Sequence, residues 1–89
     1  MIELFVNDNY RILKFLYDNQ IVILNKKVIP LTQIEIANEL NFSKMKVNAV
    51  FLTMQEQELI KREGKGKYSL TEKAEHVVNC IEQIDKIGG

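Results

Sequence analysis

The chain is 89 residues long, 46% hydrophobic and 27% charged, with one proline, four glycines and one cysteine. That length suits one domain, and the lone Cys80 excludes an intrachain disulfide and a cysteine-based zinc site. Twelve basic residues balance twelve acidic ones, so bulk charge argues for no nucleic-acid partner and only the placement of charge can.

The first ten residues, "MIELFVNDNY", carry Glu3 and lack the basic start of a secretory leader, so none is expected. No apolar run reaches the roughly 18 residues of a membrane-spanning helix. A single unpaired thiol then points to a reducing, cytoplasmic setting.

In "NDNYRILKFLYDNQ", Asn7 or Asp8 can cap a helix. Phe5, Ile12, Leu13 and Leu16 recur at helical spacing, which predicts a first helix over about 8–19. "IVILNKKVIPL" changes period: its branched aliphatics suit a strand or hairpin-like connection. Pro30 has no N–H for a central ladder, so a short edge strand over 28–31 is expected. In "LTQIEIANEL", Thr32 and Glu35 have capping-box spacing. Ile34, Ile36, Ala37 and Leu40 give the second helix its buried side, and Asn41 can end it in the left-handed conformation.

Ser43 is the next cap, and "KMKVNAVFLTMQEQ" is the third helix, with Val47, Val50, Phe51 and Met54 as its core stripe. A turn of about three residues between two helices is helix-turn-helix geometry. "ELIKREGKGKYSL" predicts two short strands, 59–62 and 67–70, around a Gly64–Lys65–Gly66 turn. Thr71 caps a fourth helix, in which Ala74, Val77, Val78, Ile81, Ile84 and Ile87 step by threes and fours.

The order helix, strand, helix, helix, hairpin, helix is that of a winged helix-turn-helix: mainly α with a small β-hairpin wing, one domain over 1–89. The helix-turn-helix falls at about 32–57, the wing at 59–70 and the last helix at 72–87. Residues 31–75, "LTQIEIANELNFSKMKVNAVFLTMQEQELIKREGKGKYSLTEKAE", resemble the DNA-binding core of MarR- and PadR-type regulators. The resemblance implies that Ser43, Lys44, Lys46 and Asn48 face base edges, and that Arg62, Lys65 and Lys67 on the wing meet phosphates. Between Lys44 and Lys73 stand seven basic residues against four acidic ones, an asymmetry that zero net charge hides. The function so implied is a double-stranded DNA-binding transcriptional regulator, a repressor acting by occlusion.

Two features depart from that family. Met45, Ala49 and Leu52 line the outer side of the third helix, where polar residues are usual. Either they pack against a neighbouring segment such as 21–24, or they meet a partner. The second case resembles the winged-helix adaptors of tubulin-type plasmid and phage partition systems, small dimers whose third helix lies between subunits; a protein-interaction module is a further reading. The other departure is Glu58, which stands where the family often has glycine. On the fourth helix, Val77, Ile81 and Ile84 extend far enough for a helix-to-helix seam, so a homodimer is expected, with any effector pocket at its interface.

No enzyme is expected. His76 is the sole histidine, on a polar helix side. "GKGK" lacks the spacing of a phosphate-binding loop. Glu35 is used in capping, and Cys80 is expected as a small core residue. Neither metal nor cofactor is implied, and no membrane partner.

Overall fold

The computed structural model describes residues 7–64 and 67–88, with side chains as far as 84. The expectations for Phe5, Lys65, Gly66 and the Ile87 side chain lie outside the described residues. Among the described residues, four helices and two small antiparallel hairpins follow one another.

Helix α1, Asp8–Asp18, starts where Asn7 Oδ1 accepts the Tyr10 N–H at 2.8 Å, which relieves one of the amides a helix start leaves unpaired. Ile12, Leu13 and Leu16 turn inward at the predicted spacing. Strands β1, Ile21–Ile23, and β2, Lys26–Val28, pair in antiparallel register with Ile21 opposite Val28. Leu24 and Asn25 close them with φ of 51° and 65°, the signs of a two-residue primed turn. This corrects the expected edge strand over 28–31: the chain doubles back at Leu24–Asn25 instead. Pro30 lies past the ladder, and Ile29 donates its N–H to Tyr68 O at 2.9 Å.

Helix α2, Gln33–Leu40, has the capping box its sequence announces. Glu35 N–H donates to Thr32 Oγ1 at 3.2 Å, and Thr32 N–H to Glu35 Oε1 at 2.9 Å. Asn41 ends it at φ 59° and ψ 40°. Helix α3, Lys44–Glu56, follows after three residues, with Ser43 Oγ accepting the Lys46 N–H at 3.0 Å. Its far end turns at Glu58, φ 59°, and the Leu59 N–H reaches back to Met54 O at 2.8 Å. The corner is thus a left-handed one, built without glycine.

Strands β3, Ile60–Gly64, and β4, Lys67–Leu70, form the second hairpin. Arg62 stands opposite Tyr68 and Gly64 opposite Lys67, so Glu63 is the extra residue of a bulge. Thr71 then joins three elements. Its hydroxyl donates to Glu58 O at 2.6 Å and accepts the Ala74 N–H at 3.2 Å at the head of helix α4, Glu72–Gly88.

Helix α3 is the centre of the packing: α1, α2 and β3 all lie against it, and α4 covers α1. Ile12, Leu16, Ile29, Ile36, Val47, Phe51 and Val78 are sealed from solvent. Phe51 meets the Tyr68 ring edge-on at 4.9 Å between centroids, and burial of such a ring contributes roughly 2–3 kcal/mol. Lys14 ties α1 to α4, with its ammonium 2.7 Å from Asp18 and 2.6 Å from Glu82. Those carboxylates, Asp18 first, hold it well above the usual lysine range.

Cys80 is exposed, which corrects its expected place in the core. Two positions beyond the buried Val78 it lies about 200° around the helix, away from α1. Its sulfur is 3.6 Å from His76 Nε2, one turn earlier. No helix among the described residues is long and apolar enough to cross a membrane.

Candidate nucleic-acid interface

The residues expected to face DNA fall on the start of α3 and on the β3–β4 hairpin. Ser43 is exposed, and its hydroxyl is engaged as the α3 cap. Lys44 and Asn48 are exposed, and neither has a hydrogen-bond or ion-pair partner among the described residues. Lys46 differs. Its ammonium pairs with Asp8 at the head of α1 and lies over the Phe42 ring, 4.8 Å from the centroid. The Lys46 hydrogen bond, ahead of charge attraction from Lys46 and Arg11, lowers the Asp8 pKa, against a smaller upward push from desolvation.

On the hairpin, Arg62 and Lys67 are exposed; Arg62 makes one long bond within the turn, Nε to Gly64 O at 3.4 Å. Lys61 is 3.8 Å from Glu63. Glu63 is the hub of this region. It receives Lys26 Nζ at 2.7 Å and the Ser69 hydroxyl at 2.6 Å. The Lys26 bond first, then that of Ser69, pulls its pKa from 4.5 to about 2.

A pattern emerges from the cations. Among the described residues, Arg11, Lys14, Lys26, Lys27, Lys46 and Lys61 each have a carboxylate within ion-pair reach. Lys44, Arg62, Lys67 and Lys73 have none; the Lys73 ammonium instead donates to Gln57 O at 2.8 Å. All four lie in the 44–73 stretch where the sequence concentrates positive charge. Lys26 and Lys27 were missed as neighbours of this surface. Both follow Asn25 directly, and a turn at that asparagine is the signal that would have swung them toward β3 and α4.

The outer side of α3 stays uncovered. Met45 is 84% exposed and Leu52 53%, with Ala49 exposed between them. The possibility that 21–24 covers them fails, because Ile21, Val22, Ile23 and Leu24 are themselves exposed. On α4, Val77 packs against the core, Ile81 is half-buried and Ile84 is at the surface. An apolar groove of about 640 Å³ lies within the single chain, between the β1–β2 hairpin and Lys67. A cavity of ligand size therefore does not require a subunit interface. Among the described residues no cluster of histidine, cysteine and carboxylates could hold a metal ion.

No protein-family model matches the sequence, and no curated protein matches it. A solved structure of similar fold is that of the reduced (Fe(II)) CO-sensing protein from R. rubrum, with a TM-score of 0.66 and 22% identity. The alignment covers 80% of this chain but 36% of that one, so the chain corresponds to about a third of its neighbour. At that identity the likeness is one of fold: a mainly helical chain carrying a small antiparallel hairpin.

Proposed function

We propose that this chain is a winged helix-turn-helix protein that binds double-stranded DNA, serving as a dimeric transcriptional regulator of the repressor type. The observation that carries the reading is the set of four cations without a carboxylate partner among the described residues: Lys44 at the start of α3, Arg62 and Lys67 on the β3–β4 hairpin, and Lys73 at the head of α4. A protein that neutralises its other described cations internally and leaves these four without a described carboxylate partner has positive charge available for phosphates.

In this reading the N-terminal end of α3 enters the major groove. Lys44 can donate to guanine O6 and N7, and Asn48 can pair with adenine N6 and N7. Arg62 and Lys67 on the wing fix the backbone register. Lys46 joins them only by leaving Asp8. The test is anisotropy of a fluorescent random-sequence duplex at low and near-physiological salt. The variant Lys44→Ala/Arg62→Ala/Lys67→Ala should weaken binding and lower the log–log salt slope by roughly 3. Absence of binding by the natural chain at low salt would sink the proposal.

A second reading is supported by the exposed stripe Met45–Ala49–Leu52. There α3 contacts protein, either a second copy, as in a partition adaptor, or an unrelated partner. Leu52→Glu should then abolish association in sedimentation while leaving the fold intact.

A further inference from the structure

Among the exposed large aliphatic side chains described, Ile34 and Ile84 stand singly, as surface aliphatics commonly do. The β1–β2 hairpin is different: Ile21, Val22, Ile23 and Leu24 are consecutive, with 43%, 67%, 50% and 95% of their surfaces exposed. Ile21, Ile23 and Val28 share one face and line the apolar groove over buried Ile29, while Val22 points to the other face.

Among the described residues, strand β1 has β2 as its one ladder neighbour. The two-residue turn makes Ile23 and Lys26 the bonded pair beside it. Alternation then leaves Val22 and Lys27 as a non-bonded pair, so the Val22 N–H and C=O point outward along a bare edge. Sheet proteins guard such edges with lysine, proline or a bulge, and β1 has none of these. Its lysines stand on β2 and are neutralised within the chain, Lys26 by Glu63 at 2.7 Å and Lys27 by Glu75 at 3.5 Å.

We propose that strand β1 is a homodimerisation edge, pairing antiparallel with β1 of a second copy about a two-fold axis at Val22. In this register each Val22 donates its N–H to the other's carbonyl, and Ile21 of each copy lies beside Ile23 of the other. An edge pairing with itself closes after two copies, giving a dimer and not a filament. Like charges do not oppose it, because the outer strand carries none. Two three-residue strands and their turns make a small contact, so the dimer belongs to the weak, concentration-dependent class of association. The side chain of Leu24, held at φ 51° where asparagine or glycine is cheaper, adds apolar surface at the end of the contact.

This inference is independent of DNA binding, and its test contains no DNA. Sedimentation of the full chain across a hundredfold concentration range should show a monomer–dimer equilibrium. Val22→Pro removes an N–H that β2 does not use and should weaken dimerisation at least tenfold with an unchanged circular dichroism spectrum. Leu52→Glu should leave it unchanged. Amide exchange of the natural chain supplies a readout that needs no variant: the Val22 amide should gain protection as concentration rises through the dimer transition. A monomer at every concentration overturns the proposal. So does a dimer indifferent to Val22→Pro, or one whose Val22 amide exchanges freely.

Discussion

The ammonium of Lys26 lies 2.7 Å from the carboxylate of Glu63, and this contact joins the two hairpins across 37 positions of sequence. With the Ser69 hydroxyl on its other oxygen at 2.6 Å, the Glu63 carboxylate is held by partners on two strands. The side chain is 15% exposed, so water competes weakly for it.

A pH dependence results. The folded-state pKa of Glu63, about 2, lies below its ordinary 4.5. Its contribution is therefore complete above about 4.5 and is lost as pH falls toward 2. Urea titrations at pH 7 and pH 3 should show a larger fall in midpoint for the natural chain than for Glu63→Gln, which has no such proton to take up. Equal falls would show that this carboxylate is not linked to folding.

The Lys46–Asp8 pair makes a separate prediction for DNA. Asp8→Asn leaves the α1 cap at Asn7 in place and releases the Lys46 ammonium toward the groove. Affinity for duplex DNA at low salt should rise roughly three- to tenfold and the salt slope by about 1. Lys44→Ala, at a cation with no ion pair among the described residues, should lower the slope by about 1 without moving the urea midpoint. Binding unaffected by either change would take the start of α3 out of the interface.

Glu58 occupies a left-handed position, φ 59°, which costs a side-chain-bearing residue about 1–2 kcal/mol. Its contacts to neighbouring elements are made by the backbone, through the N–H to Gln55 O and the carbonyl to Thr71. Glycine keeps both, so Glu58→Gly should stabilise the fold by about 1 kcal/mol after its own entropy cost. A raised denaturation midpoint with an unchanged m-value is the expected record.

Phe51 is sealed in the core, 1% exposed, with the Tyr68 ring against it. Phe51→Ala should cost about 3–5 kcal/mol, a large part of the stability of so small a chain. Phe51→Leu retains most of the volume and should cost about 1–2 kcal/mol. Urea denaturation of both variants checks the order, and equal losses would mean that the ring is not packed as found.

What the sequence determined by itself was local. The caps at Asn7, Thr32, Ser43 and Thr71, the left-handed Asn41 and the inward stripe of α3 were all legible, because each depends on hydrogen bonds or side-chain spacing within about one helical turn. The grouping of positive charge over 44–73 was legible too, but not which charges are free. That was decided by tertiary structure: Asp8 reaches Lys46 across 38 positions and Lys26 reaches Glu63 across 37, separations at which residue order constrains contact weakly. A hairpin-like connection was among the readings for 21–31, but the place of its turn was not legible, for a related reason. Leucine is a poor signal for a left-handed position, and the Lys26–Glu63 contact that helps anchor the hairpin lies far along the chain. Cys80 shows the same limit, since the side of α4 that faces solvent was decided by where α1 packs against it.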